Sequence, residues 1–216
     1  MFRPVAILAS LAVLATGAAA CGDDEQSDPA AAKTTPAPVA HIDALTGRST
    51  DVQLDKGFVR ALGTLELTPA PVGDGRITSA GVARFPITGG NVTYYKPGSV
   101  APYVQGEIDH SGSGLSLTGG GKTVELTDFV VDPGKSVLTG KVSVDGEVAA
   151  ESAPLFFLDG RTLKPLETGE NSTAILEGTT VKLKQEAADL LNQTFGVQDL
   201  QAGLVIGVAK ITVNTA

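Results

Sequence analysis

KTVELTDFVVDPGKSVLTGKVSVDG, residues 122–146, reads as two β-strands joined by a tight turn. Val124 and Leu126 fall on one face of a strand, and so do Phe129 and Val131, but the second pair is out of phase with the first. A period of two places alternate side chains on one face of a strand. One extra residue between the two phases is the mark of a β-bulge, which bends the strand and re-aims its second half. After Pro133-Gly134 the chain returns with Leu138, then Val142 and Val144, and Asp145-Gly146 opens the next turn.

The same pattern extends in both directions. GVARFPIT (81–88), YVQGEI (103–108) and GLSL (114–117) alternate, with SGSG (111–114) reading as a flexible loop between the last two. APLFFL (153–158) is a continuous apolar run, which reads as a strand buried on both faces. Glycine is abundant at 26 residues, and threonine and valine recur, as many strands with tight turns require. The expected fold is all-β: a β-sandwich or flattened barrel of many short antiparallel strands, with one or two short helices.

The helices belong to two stretches that resemble each other, residues 50–77 and 180–211. Val52 and Leu54 correspond to Val181 and Leu183, and Ala61-Leu62 to Leu190-Leu191. In the second copy Ala187, Ala188, Leu190, Leu191 and Phe195 fall on one helical face, and Gly196 suits the position that ends a helix. Each copy reads strand, short helix, strand, and the pair is expected to form related edges framing the hairpins between them.

The N-terminus reads differently. Arg3 precedes an uninterrupted run of apolar and small residues, Val5–Gly17, and Ala18–Ala20 lead into Cys21, the single cysteine. A positive start, an apolar core of about 7–15 residues and small residues before a cleavage site make a secretory signal peptide. Small residues directly before a cysteine resemble the lipobox of bacterial lipoproteins, in which the cysteine thiol receives a diacylglyceryl group and becomes the new N-terminus. Two acyl chains anchor a protein firmly. The expected organisation is a lipoprotein signal peptide at 1–20, lipidated Cys21 and a disordered, Asp-, Pro- and Ala-rich tether over 21–40, and one β-rich domain over 41–216. The expected location is the extracytoplasmic face of the cell membrane, with the membrane as a partner through the lipid.

Charge narrows the partners further. The formal charge is −8, and −9 once Arg3 is removed with the signal (−8 − 1). There is no basic run, which argues against nucleic acid as a partner.

No catalytic constellation emerges. TGGGKT (118–123) looks like the end of a phosphate-binding loop, but Ser116 stands where that loop needs glycine, and TVEL after it reads as strand. It is read as a hairpin turn. No Gly-x-Ser-x-Gly stands at a strand-to-helix turn. The two histidines, His41 and His110, are too far apart in sequence to imply a metal cluster. The chain is therefore not read as an enzyme.

Residues 82–146 carry a resemblance. Phe85-Pro86, then GEIDH (106–110) followed by a Gly-Leu, then ELTDFVVD (125–132), then LTGKV (138–142) are similar to the HtaA-type domain of cell-surface haem-uptake proteins. That resemblance implies an all-β domain with haem in a cleft, an iron-ligating tyrosine near the start of the domain, and a supporting histidine, which falls on His110. Residues 44–80 contain no tyrosine. The resemblance therefore leaves Tyr94, Tyr95 and Tyr103, on strands before His110, as the candidate ligand-site tyrosines. The functional expectation is a lipid-anchored extracytoplasmic binding module for haem or another apolar ligand. The alternative is a structural or adhesive envelope domain whose partner is another envelope protein. An apolar cleft holding His110 and a tyrosine favours the first, and a filled core with His110 solvated favours the second.

Overall fold

A computed structural model describes residues 36–215. The expected signal peptide, Cys21 and residues 22–35 of the expected tether lie outside the described residues. Of the last tether residues, Val39 donates its N–H to the Tyr94 carbonyl (2.8 Å), and Ala40 opens the first strand.

The strands are β1 (Ala40–Ile42), β2 (Arg48–Leu54), β3 (Thr68–Gly73), β4 (Arg76–Ile77), β5 (Val82–Pro86), β6 (Gly89–Tyr94), β7 (Val104–Gly119), β8 (Lys122–Asp132), β9 (Val137–Val144), β10 (Glu147–Asp159), β11 (Glu167–Gly169), β12 (Thr173–Leu183) and β13 (Val205–Asn214). Helix α1 (Lys56–Thr64) follows β2, and α2 (Gln185–Phe195) follows β12. Every pairing is antiparallel. The strands join in one sheet ordered β1-β6-β7-β8-β9-β10-β12-β13-β2-β5-β4, with β11 beside β12 and β3 beside β7. This single sheet curls into a half-barrel. The all-β expectation holds, on its barrel side rather than its sandwich side.

The strands are not all short. β7 runs 16 residues and β10 runs 13. YVQGEI and GLSL are two ends of β7, and SGSG between them is a kink in that strand, not a flexible loop. Pairing with β8 slips between His110 and Gly114, and pairing of β8 with β9 slips between Thr127 and Val130. Asp128 sits at positive φ (53°) in this bulge and accepts a hydrogen bond from the Gly112 N–H (2.8 Å). The phase shift legible in residues 124–131 is this bulge. Its effect is to divide β7: residues 104–109 pair with β6, and residues 113–118 pair with β3.

The turns follow their residue types. Gly120-Gly121 in TGGGKT joins β7 to β8 with both residues at positive φ, as a two-residue hairpin turn demands. Asp145-Gly146 does the same between β9 and β10. APLFFL differs from its expectation. Leu155, Phe156 and Leu158 are buried, but Phe157 is 45% exposed, so the strand is not covered on both faces.

The helices pack as their apolar faces dictate. The Asp55 carboxylate caps α1, accepting from the Gly57 and Phe58 N–H groups, and Phe58 and Leu62 are buried. In α2, Ala187, Ala188 and Leu191 face inward, and Gly196 ends the helix in the left-handed conformation. This helix lies on β8 and β10, over Leu126, Val142 and Leu155. The repeat is real as strand and helix, but it does not frame the sheet. β2 and β12 lie inside it, on either side of β13. The copies part after the helix: β13 returns between β12 and β2, whereas β3 leaves to pair with β7.

Candidate functional site

The concave face of the half-barrel holds a cavity of about 980 Å³. Its walls are the inward faces of strands on both sides of the curl. Ile108, Phe129 and Val131 come from β7 and β8, and Val52, Phe85 and Ala209 from β2, β5 and β13. The strand period of two supplies this apolar lining directly.

The two walls meet at the floor of the cavity, and His110 stands there. It is 2% exposed. Its Nδ1 donates to the Phe129 carbonyl (3.3 Å) on the neighbouring strand, which leaves Nε2 to accept from the Thr50 hydroxyl (2.8 Å) on β2. β7 and β2 are far apart in the sheet, so this bond crosses the interior. Phe85 of β5 and Phe129 of β8 cross beside it, edge to face, with ring centroids 5.2 Å apart. Ser113, fully buried in the kink of β7, donates to the His110 carbonyl (3.0 Å). Burial pulls the His110 imidazole down to about 4, against weak opposition from its bond to Phe129. The ring is neutral at physiological pH.

Two of the three tyrosines also line the cavity. Tyr94, at the end of β6, is buried, and Tyr103, just before β7, is half-buried. Their rings pack edge to face at 5.8 Å. Burial and the neighbouring Tyr94 push the Tyr103 phenol above its ordinary value. Tyr95 is not part of the lining; its N–H donates to the Tyr103 carbonyl (2.7 Å). His41 also lies on the cavity wall and bonds Thr93 and Asp43, each at 2.8 Å.

A charged cluster lies in the wall where β10 ends. The Asp159 carboxylate is buried and accepts from Arg161 Nε (2.9 Å), Arg161 Nη2 (2.6 Å) and Lys182 Nζ (2.8 Å). Arg161 and Lys182 together hold that carboxyl far below the usual carboxylate range. Asp159 ends β10 and caps the short 3-10 helix Gly160–Thr162, and no feature of the sequence marked Arg161 or Thr50. Lys182 reaches Asp159 only because β12 pairs with β10.

These residues fit part of what the resemblance implies. The apolar cavity suits a large flat ring system, and His110 stands in it. The atom that His110 supports is the Thr50 hydroxyl, and a neutral alcohol is not an iron ligand of the kind a phenolate provides. Both His110 nitrogens are already engaged. Among the described residues no group of three His, Cys, Asp or Glu could hold a metal ion. His110 therefore offers the iron of haem no free nitrogen.

A single curled antiparallel sheet around an apolar cleft defines the class: a β half-barrel domain with an internal apolar cavity. The C-terminal domain of HtaA from Corynebacterium glutamicum has this fold. The two structures superpose with a TM-score of 0.54, covering 79% of this chain and 97% of that one, at 14% sequence identity. A domain-swapped dimer of a histidine-to-alanine variant of that domain gives a TM-score of 0.44 at 14% identity, over 74% of this chain and 89% of that one. No protein-family profile matches the sequence, and no curated protein is similar to it. The likeness is therefore one of fold, and it confirms the HtaA-type architecture read from residues 82–146. Among the described residues no helix is long and apolar enough to cross a membrane.

Proposed function

We propose that this chain is a non-catalytic binding module for a large apolar ligand, held at the extracytoplasmic face of the membrane by lipid on Cys21. The observation that carries the reading is the cavity: about 980 Å³ of space faced mainly by apolar side chains, in the size range of about 300–1,000 Å³ typical of ligand sites. A domain with a purely structural role has no use for that void, since an unfilled interior forfeits packing contacts. Haem is the first ligand to test, because the HtaA resemblance implies it and the fold agrees. The chain's own residues would enclose the ring system, exclude water and present a neutral His110–Thr50 couple to it.

The test is titration of the purified domain with ferric haem and with metal-free protoporphyrin, followed by absorption and fluorescence. One-to-one binding of both is expected, with affinities within about threefold, because both His110 nitrogens are engaged within the protein. Ala174→Trp, which fills part of the cavity wall, should abolish it. Ferric haem bound more than tenfold tighter than the metal-free ring, and weakened by Tyr94→Phe or Tyr103→Phe, would show that a tyrosine takes the iron. Binding of neither ring removes the porphyrins as ligands, and binding of no apolar ligand at all leaves the structural or adhesive envelope domain as the better account.

A further inference from the structure

Arg161 is the only lysine or arginine among the cavity's lining residues, and Asp159 is the only carboxylate, among the described residues. Asp159 needs one cation for neutrality, and Lys182 supplies it at 2.8 Å from a mostly buried position. Arg161 is in surplus. Two cations on one carboxylate leave the cluster at +1, on a chain whose formal charge is −8. The Arg161 side chain is 83% exposed, and Asp159 holds it by Nε and Nη2. Nη1 has no protein partner among the described residues. Leu158 and Leu163, which bracket the segment Asp159–Thr162, line the cavity. A fixed guanidinium with a free edge, set in the wall of an apolar cavity, is the arrangement that recognises a carboxylate at the end of an apolar body. Asp159 pre-orders the arginine, so less side-chain freedom is lost on binding.

We propose that the cavity takes an amphipathic carboxylate, with its apolar chain along the inward faces of β7, β8 and β13 and its anionic head on Arg161. This rests on the binding-module reading above and adds the ligand's chemistry. It requires no metal, in keeping with the engaged nitrogens of His110.

The experiment uses cis-parinarate, a fluorescent long-chain fatty acid, and its methyl ester, titrated into the purified chain. Parinarate is expected to bind one-to-one, and the ester at least tenfold more weakly. Arg161→Gln should weaken the acid at least tenfold and leave the ester unchanged, while Arg161→Lys keeps most of the affinity. Thermal melts of each variant check folding, and the acid-against-ester comparison on the unaltered chain needs no variant. Equal binding of acid and ester overturns the head-group assignment and leaves the cavity reading standing. Protoporphyrin binding without parinarate binding overturns the chain-like ligand and leaves the cavity reading standing. Failure of parinarate, ester and porphyrin alike overturns both readings.

Discussion

His110 and Thr50 are 60 residues apart in sequence and 2.8 Å apart in space. Their bond ties one wall of the half-barrel to the other, and it works only while the imidazole is neutral and accepting at Nε2. Burial lowers the folded pKa from 6.5 to about 4. Between those values the unfolded chain takes up a proton that the native chain refuses, so stability falls as pH falls through that window. The loss is about 2 kcal/mol between pH 7 and pH 5 and about 3 kcal/mol by pH 4. The carboxylates held low in the folded state, Asp51, Asp132, Asp159 and Glu177, act elsewhere: their contribution is present above their ordinary values of 3.8–4.5 and is lost below them. Urea unfolding at pH 7 and pH 5 should therefore isolate the histidine. His110→Gln is expected to flatten the difference, and a variant as pH-sensitive as the parent would show that His110 is not its source. His110 was legible in the sequence through its resemblance to the histidine of the HtaA-type pattern. Its partner was not, because nothing local to TDVQL distinguishes a threonine that bonds across a cavity from one that fills a strand.

The kink shared by β7 and β8 sets what each half of those strands can do. On one side of it Ile108, His110, Phe129 and Val131 face the cavity, and on the other Leu117, Val124 and Leu126 lie in the packed core. Asp128 makes the kink in two ways: it adopts positive φ, and its carboxylate accepts from Gly112. A β-branched residue at positive φ costs about 1–2 kcal/mol, and a lost hydrogen bond to a charged group about 1.5–3 kcal/mol. Asp128→Val should thus lose about 3 kcal/mol in urea unfolding. Asp128→Gly keeps the backbone freedom and should lose about 1–2 kcal/mol less. Equal losses would mean that backbone strain plays no part. The element was readable because a change of parity between Leu126 and Phe129 survives in any sequence window. The consequence for β7 was not readable. SGSG has the composition of a loop, and only its pairing with a bulged β8 keeps it in a strand. The strand-helix repeat was legible for a similar reason, since Val52, Leu54 and Leu62 match Val181, Leu183 and Leu191 in both type and burial. The divergence of β3 from β13 depends on distant partners and left no local trace.

At the scale of the whole molecule, the sheet leaves its concave face half filled. Helices α1 and α2 each follow a strand directly and cover one part of the interior, and the remainder is the cavity. Period-two patterning announced the strands, but how far a sheet curls depends on the sum of twists and bulges along it, so the volume inside could not be read in advance. Where such a cavity is held matters for an apolar ligand, which is scarce in water and concentrated at membranes. The first pairing of the domain, Val39 with Tyr94, lies 18 residues beyond Cys21, a reach of no more than about 65 Å. A diacylglyceryl group on Cys21 would keep the cavity within that distance of the bilayer, and two acyl chains hold where one does not. Cys21→Ser should move the protein from the detergent phase to the aqueous phase on partitioning, or leave it as an uncleaved precursor, and should abolish metabolic labelling with a fatty acid. Ligand affinity of the purified domain should not change, because Cys21 lies outside residues 36–215 that build the cavity. A Cys21→Ser protein that stays membrane-bound and normally processed would remove the anchor from this account and leave the cavity's chemistry as it stands.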